Sequence, residues 1–98
     1  MDHTDKMYAL LQDILTTVAY KIKIAPTADR AELFPEMIKV QTSLTAYQAK
    51  ILQDRTLTTE KDMNDLASIK SEIDSAADKQ KLFNALGRTI SFVVTRRA

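Results

Sequence analysis

The chain has 98 residues, a formal net charge of +1, an apolar fraction of 45% and a charged fraction of 28%. That composition suits one small globular domain with a thin core, and it is too weakly basic to announce a nucleic-acid binder. With no cysteine, disulfides, thiolate nucleophiles and cysteine-based zinc sites are excluded.

One glycine and two prolines leave too little turn chemistry for a β fold, so the totals favour helices. No apolar run approaches the roughly 18 residues of a membrane span. The start, Met1-Asp2-His3-Thr4-Asp5, is acidic and polar, unlike a secretory signal. A cytoplasmic location with no membrane partner is the expectation.

The first helix begins near Asp2 to Thr4, where Asp2 or Thr4 can cap free amides and Asp5 suits the first turn. Met7, Leu10, Leu11, Ile14, Leu15, Val18 and Ile22 then recur at three- and four-residue spacing, as one stripe of an amphipathic helix. Tyr20 to Ile24 alternates as a strand would, and Ala25-Pro26 stops the element. Pro26 to Pro35 reads as the connection, where Thr27 could cap a single turn and Leu33 and Phe34 plug one end.

Pro35 suits the first turn of a second helix, which runs to about Gln53. Met37, Val40, Leu44, Tyr47 and Ile51 form its seam, widened by Ile38 and Leu52. Asp54 to Leu57 is the next turn, and Thr59 with Asp62 forms a capping box for the helical segment after it.

Thr59 to Arg97 reads as one helix or two. As one, it would extend about 58 Å and overhang the others. Its apolar phase also shifts between the Leu66, Ile69, Ile73 face and the Leu82, Phe83, Leu86, Ile90, Val93, Val94 face. A break near 74–78, with Ser75 and Asp78 as a second capping box, gives four helices; Ala76-Ala77 argue for continuity. Thr89 to Thr95 is β-branched enough to compete as a strand, with Gly87 ending a helix before it, although helix is preferred. The fold expected is an all-α up-down bundle of three or four antiparallel helices.

Residues that carry chemistry are few. His3 is the single histidine and lies at the chain end, a poor place for a base or a ligand. Asp62 with Asp65, and Asp74 with Asp78, share helix faces, but the Glu-x-x-His pair of helical di-metal sites is missing. One glycine cannot make a phosphate loop. No enzyme activity, metal or cofactor is expected.

Charge is ordered along the last segment: acids from Glu60 to Asp78, then only bases, Lys79, Lys81, Arg88, Arg96 and Arg97. Those cations either contact phosphates or complement the carboxyl end of a helix. Tyr8 and Tyr20 flank the first stripe and suit partner anchoring. The candidate partner-binding residues are therefore Tyr8, Tyr20, Phe92, Arg88, Arg96 and Arg97. The function expected is a non-catalytic interaction module that binds another protein, a second copy of itself, or both. A nucleic-acid accessory role through the basic end is the alternative.

Overall fold

The computed structural model describes residues 3–55 and 58–97. Four helices occur in order: α1 (His3–Lys23), α2 (Thr27–Gln53), α3 (Glu60–Ser75) and α4 (Lys79–Arg97). There is no strand among the described residues. The bundle is the expected all-α one, in its four-helix form.

Its helices are set in a ring. α1 packs on α2 and α3, and α4 packs on the same two. The α1–α2 and α3–α4 hairpins each turn back through a short connection, so their helices are antiparallel. Across hairpins the directions agree. At one end Thr4 donates to the Arg55 carbonyl (3.3 Å), and Arg96 of α4 meets Asp62 of α3 (2.8 Å). At the other, Lys21 of α1 donates to the carbonyls of Asp74 (2.6 Å) and Ala76 (3.1 Å), and Lys79 of α4 meets Glu32 of α2 (2.6 Å). The end of α2 and the start of α3 therefore lie at the same end of the bundle. Lys21 also supplies the positive charge that the last turn of α3 lacks in its own sequence.

One core joins all four helices. Met7, Leu11, Ile14 and Val18 meet Val40, Leu44 and Ile51, then Leu66, Ile69 and Ile73, then Leu82, Leu86 and Val93. Side chains spaced three and four apart on each helix produce this single inward seam.

Several expectations are corrected. The Pro26–Pro35 stretch is not a connection: α2 starts at Thr27, and Pro35 lies inside it. Arg30 helps to fix that start. Its amide donates to the Pro26 carbonyl (2.9 Å), and its guanidinium reaches Thr27 Oγ1 (3.0 Å). Pro26 is the residue before the helix and Thr27 does not cap it. Helix here places Leu33 fully in the core and leaves Phe34 51% exposed, so only Leu33 plugs the bundle. Pro35 denies a hydrogen bond to the Ala31 carbonyl, but both residues are exposed, so water can take that bond's place.

The segment from Thr59 is two helices. Ala76 ends α3, and Asp78 starts α4 by accepting from the Lys81 amide (2.9 Å). Ser75 is not the cap; its hydroxyl donates back to the Ser71 carbonyl (2.9 Å). The molecule measures 41 Å in its longest dimension, the length of α2 alone at about 1.5 Å per residue. Thr59 caps α3 as expected, through the Asp62 amide (3.1 Å). Tyr20 to Lys23 and Thr89 to Thr95 are helical, and Gly87 sits mid-helix. Asp2, Thr56 and Leu57, which the sequence places at a cap and a turn, lie outside the described residues.

Candidate functional site

The bundle brings three of the expected contact residues into one place. Arg88, Phe92 and Arg96 line a groove of about 380 Å³ between α3 and α4, with Asp65 and Ile69 opposite. Phe92 forms its floor. It is only 6% exposed and tilts against Tyr47 of α2, with ring centroids 6.0 Å apart. The Arg96 guanidinium lies 3.8 Å above the Phe92 ring. Cation–π attraction holds it there.

Arg96 is also fully engaged at its edges. Its Nε donates to Asp62 Oδ1 (2.8 Å) and its Nη2 to Asp65 Oδ2 (3.1 Å). Asp62 is one residue asked to do two things: its amide closes the Thr59 cap, while its carboxylate reaches across to α4. Arg88 pairs with Glu72 of α3, and Lys79 with Glu32 of α2. The order of charge seen in the sequence is thus spent inside the fold. Acids early in the segment meet bases late in it because an antiparallel hairpin brings them side by side.

Titration reflects these contacts. The hydrogen bond from Lys61 holds Asp65 below the usual carboxylate range, with further help from Lys61, Arg96 and Arg88 as charges. Burial pushes the Tyr47 hydroxyl up, Asp62 adds to that, and Arg96 opposes it. No group of three metal-ligating side chains occurs among the described residues.

Tyr8 and Tyr20 lie elsewhere, on α1, 38% and 60% exposed. Arg97 closes α4, and its side chain lies outside the described residues. The six expected contact residues therefore do not form one surface. Phe92 and Arg96 tie α4 to α2 and α3, whereas the two tyrosines remain open.

Another surface emerges that the sequence pattern assigns to the core. Phe34, Ile38 and Leu52 of α2 are 51%, 46% and 46% exposed, and Phe83 and Val94 of α4 are 39% and 56% exposed. On α2 these residues share the outer face with Ala31, Thr45 and Ala49, all exposed. The charged residues after Ala31, namely Glu32, Glu36, Lys39 and Lys50, recur at three- and four-residue multiples on a different stripe. Glu32 marks that stripe as the α4 side by reaching Lys79. From Ala31 to Gln53 the outer face of α2 carries no charge; Arg30, one turn before Phe34, stands at its start and bonds Thr27.

The signal was present in the spacing. Phe34, Ile38 and Leu52 fall off the line set by Val40, Leu44, Tyr47 and Ile51 once the helix is known to run through Pro35. Comparison with protein-family models, curated proteins and solved structures finds no match, so the reading rests on this chain's own residues.

Proposed function

We propose that this chain is a protein-interaction module with no chemistry of its own, and that its main contact surface is the outer face of α2. The observation that carries this is a helix face, uncharged from Ala31 to Gln53 and with Arg30 at its start, bearing exposed Phe34, Ile38 and Leu52. Scattered exposed apolar residues mean little, but a charge-free row of them on one helix marks a place where water is to be displaced. A partner that buries Phe34 and Ile38, each about half open now, gains roughly 1 kcal/mol from each. The fitting partner is another protein that offers an apolar helix face, since helices dock by laying such faces together. Self-association belongs to the same reading.

The paired state of Lys79, Arg88 and Arg96 weighs against a phosphate-binding tail. Cations already held by carboxylates must give up those pairs before they can displace the counterions condensed on a nucleic acid. No helix among the described residues is long and apolar enough to cross a membrane.

The test is capture of a partner by tagged protein at moderate salt, with and without nuclease, followed by a wash at about 1 M salt, where charges are screened beyond about 3 Å. The expected result is a retained protein that survives both treatments and is lost from a Phe34→Ser, Ile38→Ser variant of unchanged helicity. A retained set that disappears with nuclease makes the nucleic-acid reading the correct one.

A further inference from the structure

α4 carries a second apolar row at the edge of the core, in which Ile90 packs partly against the bundle while Phe83 and Val94 are left exposed. Phe83, Gly87, Ile90 and Val94 succeed one another at spacings of four, three and four, which places them on one stripe beside the buried Leu82, Leu86 and Val93. Phe83, Gly87 and Val94 are exposed and Ile90 is half-buried.

Gly87 is the odd member. It is the one glycine of the chain, and it stands in the interior of a 19-residue helix. A glycine there costs about 1 kcal/mol of helix stability relative to alanine. Its backbone does not require it, because no glycine has positive φ. Packing within the bundle does not require it either, since a Cβ at Gly87 would meet nothing within 4 Å. What remains is close approach from outside, the other use of a missing side chain.

The stripe is also symmetric about its own midpoint. The step from Phe83 to Gly87 equals the step from Ile90 to Val94. Laid antiparallel on a second copy of itself, it sets Ile90 of one chain over Gly87 of the other, and Phe83 over Val94. Each contact then occurs twice, as a two-fold interface demands. The bare backbone at Gly87 receives the Ile90 side chain, so the helices can approach closely while their ridges interlock.

Charge permits this pairing only because of the fold. From Lys79 to Arg97, α4 contains no acid, so two such helices taken alone would repel. In the bundle Lys79 is held by Glu32, Arg88 by Glu72, and Arg96 by Asp62 and Asp65, while the side chain of Arg97, at the far end of the stripe, lies outside the described residues. Lys81 lines the α3–α4 groove with Arg88 and Glu72, away from the stripe. The open flank of the stripe is uncharged: Gln80 and Asn84, joined by a 3.0 Å hydrogen bond, then Ser91 and Thr95.

We infer that α4 is the self-association surface of this protein, forming a two-fold antiparallel α4–α4 contact centred between Gly87 and Ile90. The inference deepens the self-association in the reading above and does not involve the outer face of α2. A contact of one helix per copy buries less than a standard interface, so the dimer is a weak, concentration-dependent one.

Sedimentation velocity of the full chain across a concentration series tests it, alongside Gly87→Leu. The expected result is a monomer–dimer equilibrium whose dissociation constant rises about tenfold or more in Gly87→Leu. Helicity at low concentration should be retained and the melting temperature should rise by about 4–8 °C, since leucine is the better helix former and its Cβ meets nothing in the monomer. Because the chain lacks cysteine, register is read separately. Phe83→Cys and Val94→Cys proteins, mixed and oxidised, should cross-link to each other faster than either does to itself. A dimer indifferent to Gly87→Leu, or like-with-like cross-links, overturns the α4 contact while leaving self-association standing. A chain that stays monomeric throughout the series overturns both, and leaves the α2 face to be judged by its own capture experiment.

Discussion

Replacing Pro35 with alanine tests the course of α2 by its sign. The structure runs helix from Thr27 through Pro35 to Gln53. In a helix interior proline is about 3 kcal/mol worse than alanine, through the lost amide and the clash with the carbonyl four residues back. Two effects reduce that figure here. The Ala31 carbonyl is on an exposed turn, where water offsets much of the lost bond, and proline stiffens the unfolded chain by about 0.4–1 kcal/mol in favour of folding. The net expectation for Pro35→Ala is a gain of about 1–2 kcal/mol. For a domain of this size that raises the melting temperature by about 4–16 °C. Thermal unfolding followed by circular dichroism at low protein concentration measures it. Hydrogen exchange should also show a newly protected amide at position 35. If the melting temperature is unchanged or falls, Pro35 occupies the first turn of a separate helix, where proline is favoured, and a connection precedes it.

Other consequences stem from particular contacts. Asp78→Ala should cost about 1 kcal/mol in urea unfolding because it removes the cap of α4, while Ser75→Ala should cost close to nothing. Asp62→Ala should cost about 1.5–3 kcal/mol, since Asp62 and Arg96 are 14% and 22% exposed and charge-assisted; a double-mutant cycle with Arg96→Met should recover most of the loss as coupling. Stability should fall as pH rises above about 10. Burial holds the proton on Tyr47, and hydrogen bonds to Asp74 and Glu32 hold those on Lys70 and Lys79, more tightly than the unfolded chain does. Tyr47→Phe should make that fall shallower, and equal slopes would rule out a contribution from Tyr47. Asp65 should titrate below a free aspartate by NMR and move up in Lys61→Met, because it is the Lys61 hydrogen bond that chiefly favours its charged form.

Much of the fold was legible because apolar spacing is a local property. Met7, Leu11, Ile14, Val18 and Ile22 of the first stripe became the buried face of α1, with Leu10 and Leu15 half-buried at its edge, and Val40, Leu44, Tyr47 and Ile51 became that of α2, with Met37 half-buried. The Thr59 cap was legible for the same reason, since all its parts lie within one turn. The misreadings came where a local preference was outweighed by distant atoms. Pro35 favours a helix start, but starting α2 at Thr27 buries Leu33, which is 0% exposed. Burial of one leucine is worth about 1.5–3 kcal/mol, and an exposed proline mid-helix costs less than its full penalty. Thr89 carries a β-branched preference, yet its hydroxyl donates to the Ala85 carbonyl (2.9 Å) within the helix, so it stays buried and satisfied.

The site was less legible, and the reason is physical. Charge attracts attention in a sequence, whereas its pairing depends on topology. Lys79, Arg88 and Arg96 look like a free basic tail when read in a line. Only the α3–α4 hairpin and the α2–α4 packing show that each meets an acid 47, 16, or 34 and 31 residues away. Once those cations serve as ties between helices, the outer face of α2 from Ala31 to Gln53 and the α4 stripe from Phe83 to Val94 carry no charged residue. The same fact changes the meaning of Phe83 and Val94. In a helix with unpaired cations they would be edge packing beside a repulsive surface. Beside neutralised cations, with a glycine between them, they become a surface on which a second α4 can lie. Breaking one tie should therefore weaken self-association without touching the stripe. Glu72→Gln leaves Arg88, on the α3 side of the helix behind the stripe, without its carboxylate, and the extra positive charge on each copy should raise the dissociation constant. The rise should shrink as salt is added, because the repulsion is screened. A salt-independent rise in Glu72→Gln would mean that the substitution acts by loosening the hairpin, and that charge neutralisation is not what makes the α4 face available.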